Sequence, residues 1–192
     1  MEKISLNNLL KLSKEDLKGK IIIFITDTVF GVGALFQDKD GIQKIYEMKK
    51  RDYGKPLAVL CSDLDQVESI CDLPEYAYEY TKYWPGALTI IARKKNSEET
   101  LAVRIPNSIV ARDILRHFGP MPTTSVNYSG EKEINDLNEI YDKFHDNADY
   151  LVTDIHDLSK MPSTVISCLN EKVEVIRSGA IKIYVNMMIS VC

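Results

Sequence analysis

Polar side chains that could bind a ligand cluster just after short apolar runs of this sequence. The segment TDT at 26–28 directly follows the β-branched run 21–25 and precedes Gly31 and Gly33. Hydroxyl and carboxylate groups at the end of a buried strand can bind a ligand, and glycines let backbone approach it closely. A polar strand end followed by a turn explains the same residues equally well.

A second cluster is basic. Lys49, Lys50 and Arg51 are consecutive, and Lys55 follows closely. Such side chains can neutralise a polyphosphate or bind a carboxylate. The alternative is a solvated helix end whose cations complement the helix dipole.

Arg104 stands at the end of an otherwise apolar run, just before Pro106. A charge there is rarely buried without a partner. Thr100 lies four residues earlier, and therefore on the same face of a strand. Arg104 is suited to a bidentate grip on a carboxylate, although an internal salt bridge is an equally good interpretation.

Two further clusters are rich in hydroxyl groups. The segment 123–127, TTSVN, follows an apolar run, and small hydroxyl and amide side chains can bind sugar hydroxyls, phosphates or an adenine edge. Turns built on these side chains are the alternative. The other cluster pairs Ser163 and Thr164 with the segment RSG at 177–179.

Several common catalytic and binding motifs are absent from the sequence. No Walker, GxGxxG, HExxH or GxSxG pattern occurs, which disfavours an ordinary P-loop or dinucleotide fold. The three histidines are scattered, and the four cysteines have no metal-ligand spacing. We therefore expect buried thiols rather than zinc or disulfides, and no histidine-centred mechanism.

The elements that must position these clusters alternate irregularly. Apolar periodicity predicts helices at 4–17, 42–51, 64–71, 75–84, 108–118 and 135–144, and strands at 21–25, 55–60, 87–92, 101–105, 121–125, 150–155, 163–169 and 173–176. Some adjacent strands are joined by short turns, and the segment 170–172 predicts a hairpin between the last two strands. The pattern predicts a single-domain α/β fold, with a twisted mixed parallel/antiparallel sheet flanked by helices.

Composition is that of an ordinary globular protein. The chain has 192 residues, is 45% hydrophobic and 27% charged, and carries a net charge of −4. No apolar run approaches the roughly 18 residues of a membrane span, and the N-terminus lacks the apolar core of a signal peptide. We expect a cytoplasmic protein without membrane association, in which any RNA contact requires a local basic patch.

Eight motifs carry a resemblance that covers residues 21 to 181. They are TDTVFGVG (26–33), KKR (49–51), KPLAVL (55–60), YWPGALTII (83–91), TLAVRIPN (100–107), PTTSVNYSG (122–130), PSTV (162–165) and IRSGAI (176–181). In this order and spacing, the chain resembles the short, single-domain type of the YrdC/Sua5 family of threonylcarbamoyl-AMP synthases.

The resemblance implies a YrdC/RibB-like fold, with a YrdC-like domain at 1–183 and a C-terminal tail at 184–192. It implies condensation of L-threonine, bicarbonate and ATP with release of pyrophosphate, for the threonylcarbamoyl modification of adenosine 37 in tRNA. Mg²⁺ would bridge the ATP phosphates, with no metal site built from protein residues. The implied partners are tRNA or double-stranded RNA and downstream threonylcarbamoyl-transferase proteins.

The resemblance also assigns roles to individual residues. It implies that Lys49 and Arg51 are catalytic. The implied ATP-binding residues are Lys49, Arg51, Lys55, Thr100, Ser125, Asn127 and Arg177. The implied L-threonine-binding residues are Thr28, Arg104, Thr123 and Ser163.

Three positions depart from the family pattern. Ile25 stands where the family usually has a proline before the TDT segment. Leu60 stands where longer members have a threonine-contacting histidine, and Glu133 stands where a small hydroxylated residue is common, so that its carboxylate could weaken ATP binding. A non-catalytic RNA-binding module and a carbamoyl transferase with another acceptor are the alternative functions.

Overall fold

A computed structural model describes residues 1–183 of the 192-residue chain, so the expected tail at 184–192 lies outside the described residues. The strands are β1 (Glu2–Ile4), β2 (Ile22–Ile25), β3 (Phe30–Gly33), β4 (Ala58–Leu60), β5 (Cys71–Asp72), β6 (Leu88–Lys94), β7 (Thr100–Arg104), β8 (Met121–Ser125), β9 (Tyr150–Val152), β10 (Thr164–Ser167) and β11 (Glu174–Arg177). The α-helices are α1 (Leu6–Leu9), α2 (Lys39–Lys49), α3 (Leu64–Ile70), α4 (Ile109–Phe118) and α5 (Leu137–Phe144), and 3-10 segments span Glu15–Leu17 and Glu75–Tyr83.

All of these strands belong to one mixed sheet. Its order is β1-β9-β2-β3-β8-β4-β7-β6-β10-β11, and β5 pairs with β6. The pairs β1–β9, β2–β9, β4–β7 and β6–β10 are parallel, whereas the other neighbours are antiparallel. The expected α/β class with a mixed sheet is confirmed, as is the hairpin that joins β10 to β11.

Strand β3 was not expected, because two of its four residues are glycine and glycine weakens a strand signal. The reason for the glycines lies on the neighbouring strand. A Cβ on Gly31 would come within 2.8 Å of Thr123 Cγ2, and a Cβ on Gly33 within 2.8 Å of Thr123 Oγ1. The glycines therefore make room for the Thr123 side chain.

The expected helix at 4–17 is wrong. Residues 2–4 pair with β9 instead, and only residues 6–9 form an α-helix. Asp16 accepts hydrogen bonds from both the backbone N–H and the hydroxyl of Ser13, and such local bonds compete with helix formation. The predicted helix at 75–84 is a 3-10 segment.

Two hydrophobic clusters stabilise the sheet. The larger contains strand β2, buried along its whole length, together with Ile45 of α2, Ile114 of α4 and Phe144 of α5. The smaller packs α3 against β6, β7 and β10 and contains three buried cysteines. Within residues 1–183, no helix has both the length and the apolar character needed to cross a membrane.

Candidate active site

A cavity of about 250 Å³ opens over the central strands of the sheet. Its floor is made of small residues that lie opposite one another on adjacent strands. Gly31 of β3 is opposite Ser125 of β8, and Ala58 of β4 is opposite both Thr123 and Ala102. Cross-strand partners share one face of a sheet, so these residues leave space where larger side chains would fill it.

Arg104 reaches this cavity from the end of β7. Its side chain is buried, with 6% of the residue exposed. Nη2 donates to Asp27 Oδ1 at 2.6 Å, Nη1 donates to Thr28 Oγ1 at 2.9 Å, and Nε donates to the Gly86 carbonyl at 2.9 Å. Burial lowers the pKa of Arg104, and the Asp27 carboxylate opposes this effect. Three of the five guanidinium N–H groups are thus engaged by the described residues, which leaves two for a ligand.

The turn after β2 supplies two buried hydroxyl groups to the same wall. Thr26 Oγ1 lies 3.1 Å from Thr28 Oγ1 and donates to the Val29 carbonyl at 2.7 Å. Both threonines line the cavity. Thr26 was not among the expected binding residues, although it belongs to the same TDT segment.

Ser163, just before β10, faces this wall from the other side. Its hydroxyl lies 2.8 Å from Thr89 Oγ1 and accepts a hydrogen bond from Arg177 Nη2 at 3.2 Å. The positive charge of Arg177 also contributes to the lowered pKa of Arg104. Thr89 was missed from the sequence because it is an isolated hydroxyl within an apolar run.

Lys49 stabilises the segment after β8. Its Nζ donates to the Ser125 carbonyl, to the Asn127 carbonyl at 2.9 Å and to Asn127 Oδ1 at 2.8 Å. Ser125 Oγ donates to the same Oδ1 at 2.7 Å. Burial and the charge of Arg51 lower the pKa of Lys49 to about 8, against an opposing effect of Glu133.

These contacts place Lys49 behind the cavity wall. The residue is 1% exposed, and its three N–H groups are all occupied. Ser125 lines the cavity, whereas Lys49 and Asn127 are not among the described lining residues.

Arg51 is the basic-cluster residue that reaches the cavity. Its Nε donates to the Lys55 carbonyl at 3.1 Å, and its Nη2 donates to the Pro56 carbonyl at 3.1 Å. Lys55 and Thr100 are exposed and lie outside the described lining. The sequence-predicted residues that the structure brings together on the cavity are Thr28, Arg51, Arg104, Thr123, Ser125, Ser163 and Arg177.

Two of the three departures from the family pattern also lie here. Leu60, opposite Arg104 on β4, and the half-buried Glu133 both line the cavity. Glu133 carries the sole carboxylate among the described lining residues, which include three arginines. The cavity is therefore electropositive overall.

This arrangement suits the binding of anions rather than a mechanism with a protein nucleophile. Fixed guanidinium and hydroxyl groups can hold two anionic reactants together and screen their repulsion. Within residues 1–183, no group of three or more His, Cys, Asp or Glu residues could hold a metal ion.

The chain is similar in sequence to a known protein family. The family model Sua5_yciO_yrdC, described as "Telomere recombination", matches residues 17–179. A protein of Methanocaldococcus jannaschii is 32% identical over 183 residues, which cover 90% of this chain and 86% of that protein. The threonylcarbamoyl-AMP synthase of Bacillus subtilis is also 32% identical, over 85% of this chain, but the match spans 51% of that longer enzyme.

Two crystal structures share the fold. Pyrococcus abyssi Sua5, complexed with L-threonine, has a TM-score of 0.83 at 24% identity, covering 93% of this chain and 58% of that chain. Escherichia coli YciO has a TM-score of 0.80 at 22% identity, covering 91% of this chain and 88% of that chain.

Proposed function

Since this chain belongs to the Sua5/YciO/YrdC family, we propose that it is an L-threonylcarbamoyladenylate synthase. It joins L-threonine, bicarbonate and ATP and releases pyrophosphate. The observation that carries the proposal is the shared cavity onto which Arg104, Arg51 and Ser125 all open.

Arg104 binds the carboxylate of L-threonine in this proposal. Two of its N–H groups remain for a bidentate contact, which is the strong form of arginine–carboxylate recognition. Thr28, Thr123 and Ser163 supply hydroxyl groups on the same wall. These contacts support an amino acid as one substrate.

The ATP phosphates lie at the other end, against Arg51 and Ser125. Lys49 and Asn127 act there from behind the wall, because they fix the backbone and side chain of Ser125. Arg177, expected on the nucleotide side, has its guanidinium beside Ser163. The cavity volume is below the roughly 300–1,000 Å³ of typical ligand pockets, so ATP extends beyond its open side.

The chemistry consists of two displacements. The threonine amine attacks bicarbonate, which gives a carbamate and releases water. A carbamate oxygen then forms a bond to the α-phosphorus of ATP. The bond between this phosphorus and the oxygen that bridges it to the β-phosphorus breaks, and pyrophosphate leaves. The protein brings the two anions together and stabilises the charge that develops on the phosphates.

Mg²⁺ would bind together with ATP, as part of the nucleotide substrate. Mg²⁺ is commonly held by one or two carboxylates together with substrate phosphates, and it neutralises phosphate charge. Glu133, the carboxylate of the described lining, would hold Mg²⁺ together with the phosphates.

The adenylate is an activated carbamoyl donor, so the proposal includes a downstream transferase that passes the threonylcarbamoyl group to adenosine 37 of tRNA. Direct RNA binding by this chain is not required. ATP and tRNA are present together in the cytoplasm, which is where we place the reaction.

Pyrophosphate release from purified protein tests the proposal. We expect release that requires ATP, bicarbonate and L-threonine together and that is weaker with L-serine. Release without threonine, or equal release with serine, would indicate a carbamoyl transfer to another acceptor. No release combined with tight tRNA binding would indicate an RNA-binding module.

A reciprocal pair of variants tests the two ends of the cavity. Arg104→Ala removes the carboxylate contact, so we expect a KM for threonine raised at least about tenfold and a nearly unchanged KM for ATP. Arg51→Ala should give the opposite pattern. Equal effects of either variant on both substrates would contradict these assignments.

A further inference from the structure

Asp27 is the closest acidic neighbour of the Arg104 guanidinium, yet it lies outside the described cavity lining. Its side chain is 16% exposed, and that of Arg104 is 7% exposed. The carboxylate therefore contacts the arginine from behind, while Arg104 and Thr28 form the wall that a ligand would touch.

The pairing with Asp27 stabilises the charged form of Arg104. Three arginines line one cavity, and burial together with Arg177 acts against the charged form of Arg104. Asp27 is the group that opposes both effects, through its charge and through its hydrogen bond at 2.6 Å. A buried charge is retained at tolerable cost when it is paired and hydrogen-bonded.

The pairing with Asp27 also helps to fix the orientation of the Arg104 guanidinium. A bidentate contact needs two N–H groups in a fixed plane, and a guanidinium held at one atom can still rotate. Asp27 fixes Nη2, Thr28 fixes Nη1 and the Gly86 carbonyl fixes Nε. These three contacts set the plane of the guanidinium.

Asp27 is itself held in place. Its carbonyl accepts a hydrogen bond from the Ser159 N–H at 3.0 Å, and the Thr28 carbonyl accepts one from the Lys160 N–H at 2.9 Å. The segment 159–160 thus ties down the backbone of the TDT turn, and the carboxylate approaches Arg104 from a rigid base.

We propose that Asp27 is a positioning residue for the amino-acid substrate: it orients and charge-balances Arg104 so that two N–H groups of Arg104 grip the substrate carboxylate. This inference rests on the proposed function for the identity of the amino acid. Asp27 acts through Arg104 and does not touch the substrate.

The test is the binding of L-threonine and of ATP, each measured by calorimetry on the full chain. Asp27→Asn keeps the shape of the side chain and removes its charge, so we expect threonine affinity to fall at least about tenfold. ATP affinity should stay within about twofold, because Asp27 is outside the lining. The matched control is Asp113→Asn, whose carboxylate pairs with Arg116 on the surface, and it should alter neither affinity.

Two further measurements separate positioning from a general structural role. L-Threoninamide lacks the carboxylate, so Asp27→Asn and the wild type should bind it equally. In an Arg104→Lys background, Asp27→Asn should cost much less threonine affinity than it does in the wild type, because the group through which it acts is gone.

Full threonine affinity in Asp27→Asn, or an equal loss of threonine and ATP affinity, would overturn the inference while leaving the proposed function intact. Additive effects of the two substitutions would also overturn it. A wild-type protein that binds no threonine would overturn both the inference and the proposed function.

Discussion

At the scale of single residues, one arginine reconciles two interpretations of the sequence. Arg104 could bind a ligand carboxylate or form an internal salt bridge, and the structure gives it the salt bridge with Asp27 while leaving it on the cavity wall. A guanidinium has five N–H donors, which is enough for both. The sequence could not decide this, because Asp27 and Arg104 are far apart along the chain.

Lys49 is a second case, because its side chain is engaged within the protein. Its position in a basic cluster indicated a phosphate contact, but its three N–H groups are used by Ser125 and Asn127. Whether a lysine is buried depends on acceptors that only the folded chain supplies. Thr28 and Ser125 were predictable as cavity residues because they stand at the ends of β2 and β8, which run in the same direction, whereas Ser163 precedes its strand.

Lys49 should make ATP binding depend on pH. Its pKa is lowered to about 8, so it is charged below that pH and loses its proton as the pH rises above it. A neutral amine has two N–H groups for three acceptors, and the Ser125 segment should then loosen. We expect the affinity for a fluorescent ATP analogue to fall between about pH 7 and about pH 9.5.

The γ-phosphate of ATP loses its last proton mainly below this range, so a flat affinity profile would contradict the assignment. A double variant of two surface lysines outside the cavity, Lys3→Arg and Lys11→Arg, serves as the control and should keep the wild-type profile.

Glu133 should weaken binding of metal-free ATP. It is the carboxylate among the described residues of an otherwise cationic lining, so Glu133→Gln removes a repulsion of the order of 1 kcal/mol. We expect the substitution to tighten ATP binding in the presence of EDTA, as measured by calorimetry. Weaker binding in EDTA would show that the carboxylate supports the site in another way.

At the scale of elements, the strand β3 is the instructive case. Its neighbour β2 is an unbroken apolar run and was predicted directly, whereas β3 contains two glycines. Those glycines are explained by the contact with Thr123 on β8, which no local pattern reveals. The helix prediction for the N-terminal segment is wrong for a similar reason. Residues 2–4 pair with β9, which lies far along the chain.

The contact between Gly31 and Thr123 predicts that a substitution at Thr123 restores stability to a Gly31 variant. Gly31→Ala places a methyl group against Thr123 Cγ2 and should lower the free energy of unfolding by about 1–3 kcal/mol. Thr123→Ser deletes that carbon, so the double variant should recover part of the loss. Chemical denaturation measures both.

Gly33→Ala is the matched control for this rescue. Its added methyl group meets Thr123 Oγ1, which serine retains, so Thr123→Ser should not restore its stability. Equal rescue of both alanine variants would show that the loss of Thr123 Cγ2 is not what restores the stability of Gly31→Ala.

At the scale of the whole molecule, the fold was predictable from irregular alternation of helices and strands, but the order of the strands was not. The strands of the cavity floor come from residues 30–33, 58–60, 100–104 and 121–125, and their neighbours are set by long-range pairing. This order places residues of these four strands on one cavity. The boundary of a YrdC-like domain at residue 183 stays a prediction.

The packing of the smaller hydrophobic cluster predicts inert thiols. Burial raises the pKa of Cys61 far above its ordinary value, that of Cys71 to about 12 and that of Cys168 to about 11. In a Cys192→Ser variant, we expect these thiols to react with a disulfide reagent only as fast as the protein unfolds. Rapid reaction of any of them in the native protein would contradict the packing.

The most direct test of the central claim, that one cavity holds L-threonine and ATP for a shared reaction, is the identity of the product. The protein is incubated with ATP, ¹³C-bicarbonate and ¹⁵N-L-threonine, and the products are analysed at once by mass spectrometry. The account predicts a threonylcarbamoyl-adenylate that carries both labels, formed together with pyrophosphate and reduced in Arg104→Ala when threonine is kept below the KM of that variant. Pyrophosphate release with AMP products that carry neither label would contradict it.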